Sequence, residues 1–361
     1  PPRLVALRIR PPEPCVIGFL EQLWAIARTT FAESIRQPVL LVVLTAGTIF
    51  VVLSNPFSGY TLEDDQRLFI DLGLSTIFIC GVVLAAFLAT SVLNREIENR
   101  TALTVLSKPV SRPTFILGKY LGVSAALLAA LAFLGLAFLL VEVHGTMQTA
   151  RTPYHLPALT FGISALVLAI AAGAAANFLY GWAFTSTSVL LGLPLLLLAY
   201  VLTLLFAHDW APQAITTEFE PQILIAIGGM AMALLMLVAV AIAASTRLGQ
   251  LPTLAITMGL FLIGLLSDWL FGRTIARLEE GFAAVPGAER SLFDGPHLLY
   301  GVCRVAYAVV PDFQVFWLAD ALTQKREIPA AYFAAILPYG ILMIAASLAI
   351  ATLLFQRREV S

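Results

Sequence analysis

The chain has 361 residues, 60% of them hydrophobic and only 12% charged, with a mean hydropathy of +0.91 and a formal net charge of -1. Soluble domains run about 45–50% apolar and about 25% charged, so these totals exclude a soluble globular protein and leave a polytopic membrane protein, an all-α helix bundle. The near-zero net charge carries no information until it is mapped onto the chain, and no basic tract points to a nucleic-acid partner.

The N-terminal segment, 1–37, begins with the basic, Pro-rich stretch PPRLVALRIRPPEP, which lacks the apolar core of a signal peptide. The chain starts on Pro1 rather than Met, and further residues are expected to precede it. Across 15–37, Val16, Phe19, Leu20, Leu23, Trp24, Ala27, Phe31 and Ile35 recur at three- and four-residue steps, with Glu21, Arg28, Glu33 and Arg36 between them. That pattern predicts an amphipathic helix in the membrane interface, with Trp24 at headgroup level. Eight apolar segments follow in a transmembrane region of 38–355, at roughly 38–54, 72–93, 116–141, 158–182, 189–206, 223–244, 253–271 and 331–355. Each is long enough for a hydrocarbon core of about 30 Å. The fifth and seventh are the weakest, and with both re-entrant the count would be six. Pro194 and Pro338 predict kinks in the fifth and eighth.

Orientation follows from Lys and Arg. With the N-terminus inside, thirteen of the 21 basic residues fall on inner segments, including Arg357 and Arg358 of the tail 356–361, whereas the short outer loops hold only Arg67 and Arg151. Both termini are therefore expected in the cytosol. The long outer loop, about 272–330, contains two apolar stretches, Leu298 to Val310 and Phe313 to Leu322, broken at Pro311-Asp312. Each is too short to span, which predicts re-entrant or interfacial helices on the outer face.

The connector between the second and third spans, Asn94 to Lys119, carries Arg95, Glu96, Glu98, Arg100, Lys108, Arg112 and Lys119. An Arg or Asp at mid-bilayer depth costs about 2.5–3.5 kcal/mol or more, so the connector is expected to face water. Residues 95–107 predict a short helix ending before Pro109. Pro113 suits the first turn of the next span, where its missing N–H is harmless. The connector can be an ordinary solvated loop, or a docking helix for a cytosolic partner.

Here the chain resembles a family. Glu96, Glu98 and Thr101, then Leu106-Ser107-Lys108-Pro109-Val110-Ser111-Arg112 and Leu117-Gly118-Lys119-Tyr120, are similar to the first cytosolic loop of ABC-2-type transporter permeases. Ala244-Ser245-Thr246-Arg247-Leu248 and Gly264-Leu265-Leu266-Ser267-Asp268 give a second, supporting likeness, near the branch of the permease of nitrous-oxide-reductase maturation. The resemblance implies a multi-pass subunit of an ABC exporter in a bacterial plasma (inner) membrane. It also implies two permease chains, identical or different, and two copies of an ATPase. The connector (95–112) would be the coupling loop, with Glu96, Glu98, Arg100 and Thr101 on the docking surface and Lys108 and Arg112 framing it.

The chain lacks an ATP-binding sequence of its own. Its only Gly-Lys pair, Gly118-Lys119, has Pro113 where a Walker A glycine belongs and is followed by Tyr120. ATP and Mg are therefore expected on the separate ATPase, and no cofactor or metal is expected on this chain. H-E-x-x-H, G-x-S-x-G and Cys-x-x-Cys are missing as well. Cys15, Cys80 and Cys303 are scattered, and His144, His155, His208 and His297 lie outside the apolar runs, which argues against a haem held within the membrane. Glu63-Asp64-Asp65 in the first outer loop keeps a different class open, a membrane-embedded glycosyl- or lipid-modifying enzyme, since a carboxylate there can act as base or hold a divalent metal. A third reading is a non-transporting permease homologue that acts on an outer partner through 272–330. Of the remaining polar residues, Asp268 is read as a helix-end anchor or a functional acid. Asn177 is read as lining a path or bonding a neighbouring helix, and Glu142 as marking the outer interface. Gly228-Gly229, and Ala169 with Gly173, are read as close-packing surfaces.

Overall fold

A computed structural model describes residues 16–59, 65–98, 111–146, 154–284 and 295–356. The fold is all-α, with no sheet among the described residues. The interfacial helix expected at 15–37 is α1, Val16–Ile35, and Pro38 opens α2, Pro38–Ser58, from an N1 position. The bundle continues with α3 (Asp65–Glu98), α4 (Arg112–His144), α5 (Leu156–Tyr180), α6 (Phe184–Leu204), α7 (Pro221–Ser245) and α8 (Gln250–Leu265). Beyond it come α9 (Arg273–Ala284), α10 (Gly295–Val309), the short α11 (Ala319–Thr323) and α12 (Ala330–Gln356). Seven of the described helices are long and apolar enough to cross a membrane, and the bent pair beginning at α8 brings the number to eight.

Successive spans run in opposite directions, and side-chain contacts pin both ends. At one end Gln37 donates through Nε2 to the Ser91 hydroxyl at 2.6 Å, and Phe115 of α4 stacks on Phe355 of α12 with centroids 5.7 Å apart. At the other, Asn55 donates to the Gly145 carbonyl at 2.7 Å and Gln222 accepts from the Ile328 N–H at 3.0 Å. The first end carries α1 and the end of α12. It is called the inner end here, after the distribution of Lys and Arg.

The core is centred on α4, which packs against α1, α2, α3, α6, α7 and α12. Close approach depends on missing side chains. Gly73 of α3 lies under the Phe138 ring, which stacks on Phe69 at 5.1 Å, and Gly47 of α2 sits against Cys80 and Leu134. The α5–α6 hairpin packs through Gly173 on Ser188 and Gly192 on Ala169, the small-residue surface expected from the sequence. Its turn needs Gly181 at φ +67, a left-handed conformation that other residues adopt at a cost.

The fifth segment, read as weak, is a complete 21-residue helix, and Pro194 and Pro338 lie inside α6 and α12. The seventh segment is bent. Helix α8 ends at Leu265, a five-residue π-helical stretch follows at Asp268–Gly272, and the axis turns by 55°. Helix α3 continues without interruption through Glu98, and α4 begins at Arg112 with Pro113 in its first turn, where the sequence placed the start of the third span. The rest of the helix expected at 95–107 lies outside the described residues.

The stretch after Pro311 is re-entrant. Phe313 and Phe316 are each 1% exposed. Phe313 donates its N–H to the Gly264 carbonyl at 3.4 Å, and the Phe316 carbonyl abuts Gly229. Gly229 lies eight residues into α7, about 12 Å below its outer end at 1.5 Å per residue, so the segment reaches well inside the bundle. Its backbone finds protein partners, as non-helical chain at that depth must. The Asp312 N–H bonds the Tyr339 hydroxyl at 2.9 Å, and the Val315 carbonyl accepts from the Tyr332 hydroxyl at 3.0 Å.

Candidate functional site

At the inner end, helices α3 and α4 are longer than a bilayer needs. At 34 and 33 residues each is about 50 Å long, against a hydrocarbon core of about 30 Å. Measured from the outer end of α4 at His144, about 30 Å of helix is used up near Ser124. Helix α4 thus exceeds that thickness by about 20 Å.

Helix α1 is clamped there. A Cβ on Gly118 would come within 2.7 Å of Ile26 Cγ2, and one on Gly122 within 2.6 Å of the Ala27 carbonyl oxygen. Trp24, at 70% exposed, points away from this seam, consistent with an interfacial helix. Ser111 caps α4 by accepting the Thr114 N–H at 3.3 Å, and Pro113 falls in the first turn as expected. Lys119 departs from the expectation of a water-facing connector. It is only 3% exposed, with Nζ 5.7 Å from the centroid of the Phe115 ring. Burying the aliphatic stem and holding the ammonium against an aromatic face stabilises such a cation. Because Phe115 in turn stacks on Phe355, Lys119 belongs to a joint between α4 and α12.

Of the candidate docking residues, Glu96 and Glu98 lie in the last turn of α3, where the backbone alone is described. Arg112 is the first residue of α4 and half-buried. Arg100, Thr101 and Lys108 lie outside the described residues. The two flanks of the connector therefore share the inner end with α1.

At the outer end, Glu63 and Asp64 lie outside the described residues. Asp65 opens α3 and is 7% exposed, a place where a carboxylate complements the positive end of the helix. Among the described residues no group of three His, Cys, Asp or Glu side chains is arranged to hold a metal. Asn177 is exposed and donates to the Trp182 carbonyl at 2.6 Å across the turn between α5 and α6. Asp268 starts the π-helical bend beside Gly272.

The sequence reading missed an outer cavity of about 400 Å³ between α3, α4, α7 and the loop after α11. Arg67, Lys325 and Arg326 face Glu142, Glu220 and Glu327 around it. The one foreshadowing signal was the charge in 323–327, which no composition rule ties to Glu142 in another helix. Beside it His155 caps α5. Its Nδ1 accepts the Ala158 N–H at 3.2 Å, which leaves the proton on Nε2, 3.5 Å from a Glu218 carboxylate oxygen. Burial holds the His155 pKa below its usual 6.5, against the opposing pull of Glu218.

The fold and the charge-flanked inner connector define the class, a multi-pass helical membrane protein. A family model described as ABC-2 family transporter protein matches residues 66–249, from the first turn of α3 to the residue before α8. The chain belongs to the ABC-2 transporter family. Comparison with curated proteins returned no match.

Proposed function

We propose that this chain is the permease subunit of an ABC transporter that receives the motion of a separate ATPase through residues 95–112 and converts it into export or mechanical work across a bacterial plasma membrane. The observation that carries the reading is the family match itself, which encloses the connector. The geometry supports it. The connector joins two rods about 50 Å long, and α4 is coupled to α1 through Gly118 and Gly122 and to α12 through Phe115 and Phe355. A push at Glu98 or Arg112 would therefore reach three helices without passing through a flexible element. ATP and Mg would be bound by the ATPase, present in two copies, and the chemistry would be its own; this chain would translocate and not catalyse.

A second permease chain fits the exposed face of α12, whose most apolar stretch is only 11% buried, against 72% for α4. The enzyme reading draws no support from the outer face, because the one described carboxylate of Glu63-Asp64-Asp65 is buried in a helical turn.

The reading is tested by Glu98→Lys combined with Arg100→Glu in the chain co-expressed with its ATPase. The expected outcome is loss of transport and of ATPase co-purification with normal membrane insertion. Unchanged co-purification and unchanged transport would sink it.

A further inference from the structure

A slot of about 340 Å³ opens between α2, α4, α5 and α6 on the lipid-facing side of the bundle. Val52 and Ile163, 47% and 59% exposed, flank its mouth, while Leu140 and Leu196, 6% and 0% exposed, form its floor. Its polar groups are few. Thr48 spends its hydroxyl on the Leu44 carbonyl of its own helix at 2.8 Å, and Asn55 donates to Gly145. His144 sits at the outer end. Its Nδ1 accepts the His155 N–H at 3.3 Å, which puts the ring proton on Nε2, and its ring lines the slot.

Depth limits the occupant. Thr48 is ten residues from the outer end of α2, Leu166 ten residues from that of α5, and Leu196 eight residues from that of α6. At 1.5 Å per residue the slot runs about 12–15 Å inwards, roughly half of a 30 Å hydrocarbon core, the depth of one leaflet. A partner helix is too thick, since a cylinder about 10 Å across and 15 Å long needs roughly 1,200 Å³. Water is a poor filler too. At about 30 Å³ each, some ten molecules would fit, facing walls that offer almost no hydrogen bonds. A single unbranched hydrocarbon chain with a polar head at the outer end matches the length, the volume and the placing of the polar residues Asn55 and His144.

We propose that this slot holds an acyl chain of a resident outer-leaflet phospholipid, with the His144 Nε2–H donating to its headgroup phosphate or ester oxygen.

The test uses the whole permease complex in vesicles containing phosphatidylethanolamine with a photoreactive diazirine in one acyl chain. Labelled positions are mapped by mass spectrometry. Leu140 and Leu166 should be labelled more strongly than Val167 and Leu168, which face outward on α5 at 58% and 55% exposed. Gly162→Phe, which fills the slot, should reduce labelling of Leu140 severalfold and leave Val167 unchanged. Gly162→Ala, whose Cβ would lie an ordinary 3.6 Å from Leu140 Cδ1, should keep the wild-type pattern. It provides a folded comparison if the Phe variant misassembles. His144→Phe should weaken Leu140 labelling. Labelling confined to Val167 and Leu168 in the wild type, or equal Leu140 labelling in Gly162→Phe, would overturn the proposal. So would Leu140 labelling that vanishes only when ATP is supplied, because the lipid would then be cargo and not resident.

Discussion

At the residue scale, the seam between α1 and α4 makes a graded prediction. The methyl group of Gly122→Ala meets a backbone carbonyl, Ala27 O, which cannot move without shifting α1, whereas that of Gly118→Ala meets mainly the Ile26 side chain. Overpacking of this kind costs about 1–3 kcal/mol, and Gly122→Ala should sit at the upper end. Gly259, within α8, has nothing within 4 Å of a built Cβ, so Gly259→Ala should stabilise by up to about 1 kcal/mol through helix propensity. Thermal melts in detergent should rank them Gly259→Ala, wild type, Gly118→Ala, Gly122→Ala, from most to least stable. His155 predicts a pH effect. Its pKa is lower in the fold than when unfolded, so the unfolded state takes up the proton first and stability rises with pH. The contribution is present above the usual 6.5 and is lost as pH falls through the lower folded value, where protonated Nδ1 can no longer accept the Ala158 N–H. Melting temperature should fall as pH drops below the usual 6.5, and His155→Asn, which keeps a capping acceptor, should flatten that fall.

At the element scale, the re-entrant segment is held where helices lack side chains. Gly264 leaves room for the Pro311 carbonyl and the Phe313 ring, and Gly229 for Leu318 and the Phe316 carbonyl. The surrounding aromatic rings, Phe78, Phe261, Phe313 and Trp317, interlock with centroids 5.4–5.7 Å apart. Gly264→Ala should displace the segment and speed tryptic cleavage at the exposed Lys325 and Arg326; an unchanged cleavage rate would show that Gly264 does not anchor it. Much of this level was legible. The three- and four-residue spacing gave α1 almost to the residue, and Pro38 and Pro113 marked helix starts because a proline in a first turn loses nothing. The break after Leu265 was only partly legible: Asp268 interrupts the apolar run, but only the neighbours Pro311 and Phe313 reveal why α8 stops at their level. The outer cavity escaped for a related reason: Arg67, Glu142, Glu220 and Lys325 lie far apart in sequence and meet only when four elements come together.

At the scale of the whole molecule, the motif at 96–120 carried the family, and the family match at 66–249 agrees with it. The motif did not convey that its basic residues part company, with Lys119 buried against Phe115 while Arg112 stays half-exposed at the start of α4. Lys119 is thus a joint within the permease. Lys119→Met should keep the ATPase bound but loosen α4 from α12, lowering transport per ATP hydrolysed; loss of ATPase binding would place Lys119 on the docking surface instead. The central claim, that an ATPase docks on the connector, is tested most directly by a photo-crosslinking amino acid placed in turn at Thr101, Lys108 and Trp210 of the co-expressed complex. The account predicts crosslinks from 101 and 108 to a nucleotide-binding chain and none from 210 in the outer loop. An intact, ATP-hydrolysing complex in which neither 101 nor 108 captures that chain would contradict it.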